Sequence, residues 1–260
     1  MRLDIALVHQ NLLPSRERAK AAILAGEVLV NGLEARKPSL EIAGGDALAL
    51  RGTHGYVGRG YLKLRKALDM FGIEAAGKIC VDVGASTGGF TQLLLERGAA
   101  KVYAVDVGTG QLAASLRADP RVVNLEKTDV RTVEIPPCDF AGADVSFISL
   151  TLILAKLYSL LNETGQAVCL LKPQFETGAP VKHGIVKDPK EHARVIGEVM
   201  RSAEQAGFAC RGLTHSPVTG GEGNIEFLLC LTKNDKNRAL NDNKLSINDA
   251  VNQAWKELKA

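Results

Sequence analysis

Apolar positions at Leu3, Ile5, Ala6 and Val8 open the chain on a helical spacing, and Ala19, Ala22 and Ile23 repeat it after a polar break. Ser15 stands where an N-cap belongs, Arg16, Arg18 and Lys20 face away from that apolar stripe, and Gly26 ends the second helix. "EVLVNGLEA" then reads as strand, Asn31-Gly32 hairpin turn and strand, with "DALAL" as a third strand. Two short helices on a small hairpin sheet leave room for little core. "RGTHGYVGRG", residues 51–60, is glycine-rich and reads as a linker. Beyond it the period changes. A helix over about Tyr61 to Phe71 is followed by apolar runs at "KICVDVG", "KVYAVDV", "VVNLEKT", "DFAGADVSF" and "AVCLLK", with helical stretches between them. That alternation predicts a doubly wound α/β domain. "FACRGLTHS" and "NIEFLLCLTK" add two strands close enough in sequence to pair antiparallel. After Lys233 the chain turns polar and resumes as "SINDAVNQAWKELK", where Ile247, Val251, Trp255 and Leu258 share a face and Ser246 with Asp249 forms a capping box. The expected organisation is 1–50, a linker at 51–60, 61–233, and a polar segment with an amphipathic helix at 234–260.

Length and composition narrow the class. A chain of 260 residues fits one large domain, or a medium domain with a small companion. No apolar run approaches the ~18 to 20 residues that span a bilayer. "MRLDIALVHQ" carries an acid at position 4 and no long apolar stretch, unlike a signal peptide. The five cysteines are widely spaced and lack any C-x-x-C, and Cys80, Cys169 and Cys230 lie within strand-like runs. That pattern points to reduced thiols in the cytoplasm. The histidines show no ligand spacing, so no metal is expected. Net charge is +3 overall, yet residues 1–66 alone hold eleven Lys/Arg against six Asp/Glu. A basic N-terminal segment on a near-neutral body suggests a module for a polyanion.

Residues 1–50 resemble an S4 RNA-binding domain, on the pattern helix, Ser-Arg, apolar helix, Gly, "VLVNG". The resemblance implies that Arg16, Arg18 and Lys20 face structured RNA and contact phosphates rather than bases.

In the second domain, the first strand runs into "GASTGGF", a turn made by Gly84, Ala85, Ser86, Gly88 and Gly89 just after Asp82. The spacing is neither G-x-G-x-x-G nor a P-loop, the two patterns that cradle phosphates. Such a turn brings backbone close to a ligand, and the helix after it offers its N-terminus to a carboxylate. Asp106, ending the second strand, can accept both hydroxyls of a ribose. Asp129, read as ending the third strand, can meet an adenine edge. Ribose, adenine and a free amino-acid moiety together describe S-adenosylmethionine. Seven strands, the last two antiparallel, is the arrangement of Rossmann-type methyltransferases.

Lys172 closes the apolar strand "AVCLL". It either snorkels to solvent or, partly desolvated, gives up its proton and serves as a base. In an open α/β sheet the site lies beyond the carboxyl ends of the parallel strands. Asp144 and Lys172 end the fourth and fifth strands there, and Glu226 begins an antiparallel one at the same edge. Lys63, on the helix entering the domain, folds over the opening. A second ammonium favours a neutral Lys172 and the carboxylates favour a charged one; the sequence leaves that balance open.

"RGYLKL", "DVGASTGGFT", "VDVGTGQL", "DVSFISL", "LKPQFE" and "GNIEF" together resemble the TlyA family, whose members are often named haemolysins. The resemblance spans nearly the whole chain. It implies an S4 domain joined to an FtsJ-like 2′-O-methyltransferase domain, with ribosomal RNA or ribosomal subunits as partner and S-adenosylmethionine as cofactor. The family's Lys-Asp-Lys-Glu tetrad falls on Lys63, Asp144, Lys172 and Glu226, with Lys172 as base. Gln92 stands where many members carry Asp, and Thr109 at a variable position. Two other readings use the same residues: an RNA-binding protein with an inactive methyltransferase domain, and a membrane-lytic protein, for which the C-terminal helix with Glu257 is a poor candidate.

If the N-terminal segment binds RNA, deleting residues 1–50 weakens RNA binding and flattens its salt dependence while cofactor binding survives. Equal RNA affinity of the full and shortened chains across a salt series overturns that role.

Overall fold

The computed structural model describes residues 1–260 apart from 11, 14, 25, 51–55, 179–180, 182–183, 234–245 and 259–260. The first half of the expected linker and the polar segment after Lys233 therefore lie outside the described residues. The chain divides into two units, Met1–Tyr56 and Val57–Ala260.

In the first unit, α1 (Leu3–His9) and α2 (Arg16–Leu24) pack on a sheet of β1 (Val28–Val30), β2 (Leu33–Ala35) and β3 (Leu48–Leu50), ordered β2-β1-β3 and wholly antiparallel. Ser15 accepts the Arg18 N–H at 3.3 Å, as an N-cap should. Asn31 and Gly32 take φ of 51° and 82°, the left-handed pair that a two-residue hairpin turn needs. The core is Leu3, Ala6, Leu7, Ala19, Ala22, Ile23, Val28, Ala35 and Ile42. Leu7 fills the inward position and Ile5 faces solvent, which corrects the apolar stripe expected for α1.

The second unit contains α3 (Gly60–Phe71), β4 (Ile79–Val83), α4 (Gly89–Glu96), β5 (Lys101–Val105), α5 (Ala114–Arg117), β6 (Val122–Leu125), β7 (Cys138–Ala143), α6 (Leu154–Leu160), β8 (Leu161–Leu171), α7 (Pro173–Glu176), α8 (Pro189–Gln205), β9 (Ala209–His215), β10 (Phe227–Thr232) and α9 (Ile247–Leu258). Seven strands form one sheet in the order β6-β5-β4-β7-β8-β10-β9. The first five are parallel, and β10 runs antiparallel between β8 and β9. Strands covered on both faces are largely apolar, which is why "AVCLL" reads as an unbroken run and "ICVDV" departs from one only at Asp82. All five cysteines are free thiols, and burial pushes Cys80, Cys138, Cys169, Cys210 and Cys230 up to about 12. The C-terminal helix docks as expected. Ser246 accepts the Asp249 N–H at 3.1 Å, Ala250, Val251 and Ala254 are buried, and the Trp255 indole donates to His192 Nδ1 at 3.1 Å. Among the described residues, no helix is long and apolar enough to cross a membrane.

Residues 57–60 belong with this unit rather than with a free linker: the Val57 N–H donates to Gln92 Oε1 at 2.8 Å, on α4. α3 then crosses α4 at backbone distance. A Cβ on Gly89 would stand 2.8 Å from Tyr61 N and 3.2 Å from both Gly58 O and Gly60 Cα. That approach seats the first turn of α3, with Lys63, over the end of the sheet. Gly89→Ala should therefore cost about 1–3 kcal/mol, the range for overpacking against atoms that cannot yield. Urea denaturation measures it, and an unchanged midpoint would mean that the two helices are free to part.

Candidate active site

β7 and β8 are parallel neighbours, with Ala143 opposite Cys169, so the residues following them, Asp144 and Lys172, emerge at one edge of the sheet. β10 pairs with β8 in the register Phe227 to Leu171, which sets Glu226 across from Lys172 at that same edge. α3 contributes Lys63 from above. The four side chains form a chain of ion pairs: Glu226 Oε2 to Lys63 Nζ at 2.6 Å, Lys63 Nζ to Asp144 Oδ2 at 3.9 Å, and Asp144 Oδ1 to Lys172 Nζ at 2.7 Å. Lys63 and Lys172 are each 8% exposed and Glu226 2%. Each basic group sits against a carboxylate, which is what lets so many polar groups leave water. The four residues expected to converge do so.

Lys172 Nζ has a further partner that sequence reasoning passed over, the hydroxyl of Ser146, at 2.6 Å. The next residue, Phe147, sits at φ 64° and is 91% exposed. A phenylalanine in the left-handed region costs of order 1 kcal/mol or more, so its surroundings must hold it there. They do. Its ring lies 5.2 Å from that of Phe175, which itself stands 6.0 Å from Lys172 Nζ. Two residues further on, Ser149 donates its hydroxyl to Glu176 at 2.5 Å, and the Leu150 N–H donates to the same carboxylate at 2.9 Å. Burial pushes the Glu176 carboxyl up, against the pull of those two donors.

The glycine turn lies alongside. Gly84 takes φ 81°, and a Cβ there would also collide with the Asp144 carbonyl, so the turn and the ion-pair chain abut through backbone. The Gly84 and Ala85 N–H groups donate to Val105 O, and Gly88, at φ 97°, begins α4 with no room for a side chain beside Leu112 and Leu116. Ser86, at φ 49°, donates its N–H to Asp106 Oδ2 at 2.7 Å. Asp106 Oδ1 accepts the Gly108 N–H at 2.7 Å. Each oxygen keeps a second lone pair, so this half-buried carboxylate can still accept two hydroxyls.

Three of the residues expected around the cofactor have other partners in the structure. Gly89 lies against the backbone of the first turn of α3, at the α3–α4 crossing. Asp82 lies beneath the turn, 1% exposed, with Oδ2 accepting the Thr91 N–H at 2.9 Å and its hydroxyl at 2.7 Å. Its Oδ1 is buried without a partner. Burial pushes this carboxyl up to about 7, outweighing the Thr91 hydrogen bonds. Asp129 does not end a strand. β6 stops at Leu125, and Asp129 binds its own Arg131 at 2.5 Å, whose hydrogen bonds hold it below the ordinary carboxylate range. The acid that follows β6 is Glu126, which accepts the N–H groups of Gly110 at 2.8 Å and Gln111 at 3.2 Å. It pins the loop after Asp106, and Gln111 in turn accepts the Ser86 hydroxyl at 3.2 Å. The only sequence signal for Glu126 was its place directly after "VVNL". Among the described residues, no three His, Cys, Asp or Glu side chains group to hold a metal.

In the first unit, Arg18 and Lys20 are exposed to solvent. Arg16 is turned differently. Its guanidinium meets Asp4 Oδ2 at 3.0 Å, and Arg2 meets Oδ1 at 3.0 Å. Hydrogen bonds from Arg2, with Arg16 adding to them, hold the fully buried Asp4 carboxyl at about 2.

The profile of the FtsJ-like methyltransferase family matches residues 56–233, and that of the S4 domain matches residues 1–48. The chain is 48% identical to "Putative rRNA methyltransferase YqxC" of Bacillus subtilis over 240 residues, 88% of this chain and 85% of that protein. It is 43% identical to the 16S/23S rRNA (cytidine-2'-O)-methyltransferase TlyA of Mycobacterium tuberculosis over 264 residues, covering 98% and 97%. A solved structure named "Putative hemolysin from Streptococcus thermophilus" superposes with a TM-score of 0.82 at 45% identity, covering all of this chain and 97% of that one.

The buried Asp82 makes a pH test of this architecture. Its folded value of about 7 exceeds the ordinary 3.8, so the folded state holds this proton more tightly. The stability it contributes is complete below about pH 4 and is lost as pH rises to 7. Asp82→Asn, which needs no proton, should gain on the wild type by about 3 kcal/mol between pH 4.5 and 7.5. Urea denaturation at the two pH values measures it, and a pH-independent difference would show that Asp82 stays ionised.

Proposed function

The chain belongs to the FtsJ-like methyltransferase family, in its TlyA branch with an S4 domain, and we propose that it methylates ribose 2′-hydroxyls of ribosomal RNA with S-adenosylmethionine as donor. The observation that carries the reading is the unbroken chain Glu226–Lys63–Asp144–Lys172, set against the glycine turn through the Gly84–Asp144 contact.

The residues present fit the cofactor. Asp106 retains acceptor capacity for a ribose diol, and Val107 beside it is 73% exposed, an apolar surface for a flat base. The unpaired Oδ1 of Asp82 lies under the turn, left for an amino-acid moiety or a bridging water, accepting when ionised and donating when protonated. The bound cofactor supplies a methyl group on a sulfonium, open to in-line attack by an oxygen.

A ribose hydroxyl is a weak nucleophile at neutral pH, so the protein's task is to hold it in line and remove its proton. Lys172 takes that proton. Asp144 anchors the amine from one side, and Lys63, itself held by Glu226, keeps the Asp144 carboxylate from swinging away. Once Lys172 is charged, Asp144 at 2.7 Å balances the ammonium within the site. Phe147, exposed at the rim and braced by Phe175, offers an aromatic face to an unstacked base. Arg18 and Lys20 of the S4 unit supply phosphate contacts that carry no sequence information. The free thiols suit a reducing, cytoplasmic setting, where ribosomal RNA is met.

Lys172→Ala should keep the cofactor affinity measured by isothermal titration and lower methyl transfer at least ~100-fold, the lower range for general base catalysis. Lys172→Arg should be nearly as inactive, because a guanidinium keeps its proton at any working pH. Transfer of labelled methyl to ribosomal RNA, with mass-spectrometric mapping of ribose methylation, reads both. A Lys172→Arg variant working near the wild-type rate would remove the base role.

A further inference from the structure

We infer that Ser146 is a positioning residue for Lys172, aiming the lone pair of its amine at the substrate hydroxyl. The inference rests on the proposed reaction but is drawn from a contact outside the tetrad. A neutral amine has two N–H bonds and one lone pair, tetrahedrally arranged. At Lys172 Nζ two acceptors lie at hydrogen-bond distance, Asp144 Oδ1 at 2.7 Å and Ser146 Oγ at 2.6 Å. When both N–H bonds are engaged, the lone pair has one direction left. With Asp144 alone, the amine turns about its Cε–Nζ bond and the lone pair points astray in much of that rotation. After the proton moves from the 2′-hydroxyl to Nζ, the ammonium has three N–H donors. Ser146 and Asp144 accept two of them, and these bonds strengthen with the charge.

Ser146 is exposed, so packing is not its role. Its loop is tied to the chain beyond β8: Phe147 follows at φ 64°, and Glu176 receives both the Ser149 hydroxyl and the Leu150 N–H. The charged groups around Lys172 are Asp144, Lys63 and Glu226, since Glu176 on α7 is turned to Ser149 and Leu150. Ser146 is the uncharged partner among them, which makes its removal a local change of hydrogen bonding with no change of net charge.

The test compares Ser146→Ala and Ser146→Thr with wild type. Ser146→Ala should lower kcat about 10- to 100-fold, the cost of a misaligned reacting group. The KM for RNA and the affinity for S-adenosylmethionine should stay within about twofold, because neither site loses a binding group. The rising limb of kcat against pH should move to lower pH, since the ammonium loses an acceptor. Ser146→Thr, which keeps the hydroxyl, should restore most of kcat. In the cofactor-free proteins, carbon-13 NMR of labelled lysine should show the Lys172 ε-carbon titrating at lower pH in Ser146→Ala than in wild type. A Ser146→Ala variant with wild-type kcat and an unmoved Lys172 titration overturns the inference, as does failure of Ser146→Thr to recover. If wild type itself transfers no methyl, the proposed reaction falls on its own, and the NMR comparison still decides whether Ser146 governs Lys172.

Discussion

Asp144 stands between two lysine amines, and the arrangement of side chains at this edge of the sheet depends on that position. Its Oδ1 holds Lys172 and its Oδ2 faces Lys63, whose charge is shared with Glu226. Four ionisable groups so little exposed persist only in mutual contact. Removing one leaves a buried charge unpaired, at a cost of about 3–5 kcal/mol. The four come from α3, the end of β7, the end of β8 and the start of β10. Their pairing therefore ties the helix that enters the domain to three strands of the sheet. The antiparallel seating of β10 is indispensable here, for a parallel strand in its place would bring its opposite end, and no Glu226, to this edge.

Backbone proximity does the rest of the assembly. Gly84 passes against the Asp144 carbonyl, Gly88 starts α4 where Leu112 and Leu116 leave no room for a Cβ, and Gly89 lets α3 and α4 touch. One short turn thus adjoins the ion-pair chain on one side, Asp106 through the Ser86 N–H on another, and the helix bearing Lys63 on a third. Beneath it, Asp82 secures the first turn of α4 through Thr91 while lacking a partner for its second oxygen. A carboxyl buried in that state opposes stability near neutral pH.

The corrections share a cause. Asp129 and Glu126 are only three residues apart, and an apolar run does not say at which polar residue its strand ends. Side-chain competition settles it: Asp129 is drawn to Arg131, while Glu126 is met by the N–H groups of Gly110 and Gln111. Arg16 has the right spacing for an outward-facing basic residue, yet Asp4, twelve positions earlier, claims it. Gly89 reads like its neighbours in a ligand turn, and only the approach of Tyr61 shows which backbone it lies against.

Periodicity and strand-end chemistry in the sequence determined the S4-like unit, the seven strands and the convergence of Lys63, Asp144, Lys172 and Glu226. These follow from local rules: a strand buried on both faces is largely apolar, and in a parallel sheet the residues just past the strands meet at one edge. Ser146, Phe147 and Glu176 were not legible in the same way, though all three lie within quoted motifs. Their roles depend on a loop whose path passes through a left-handed phenylalanine and is locked by a carboxylate from another segment. A serine has no spacing that marks it as the second acceptor of a lysine. Only the tertiary structure decides that, because a hydrogen bond is set by tenths of an ångström between groups that the chain brings together from 26 residues apart.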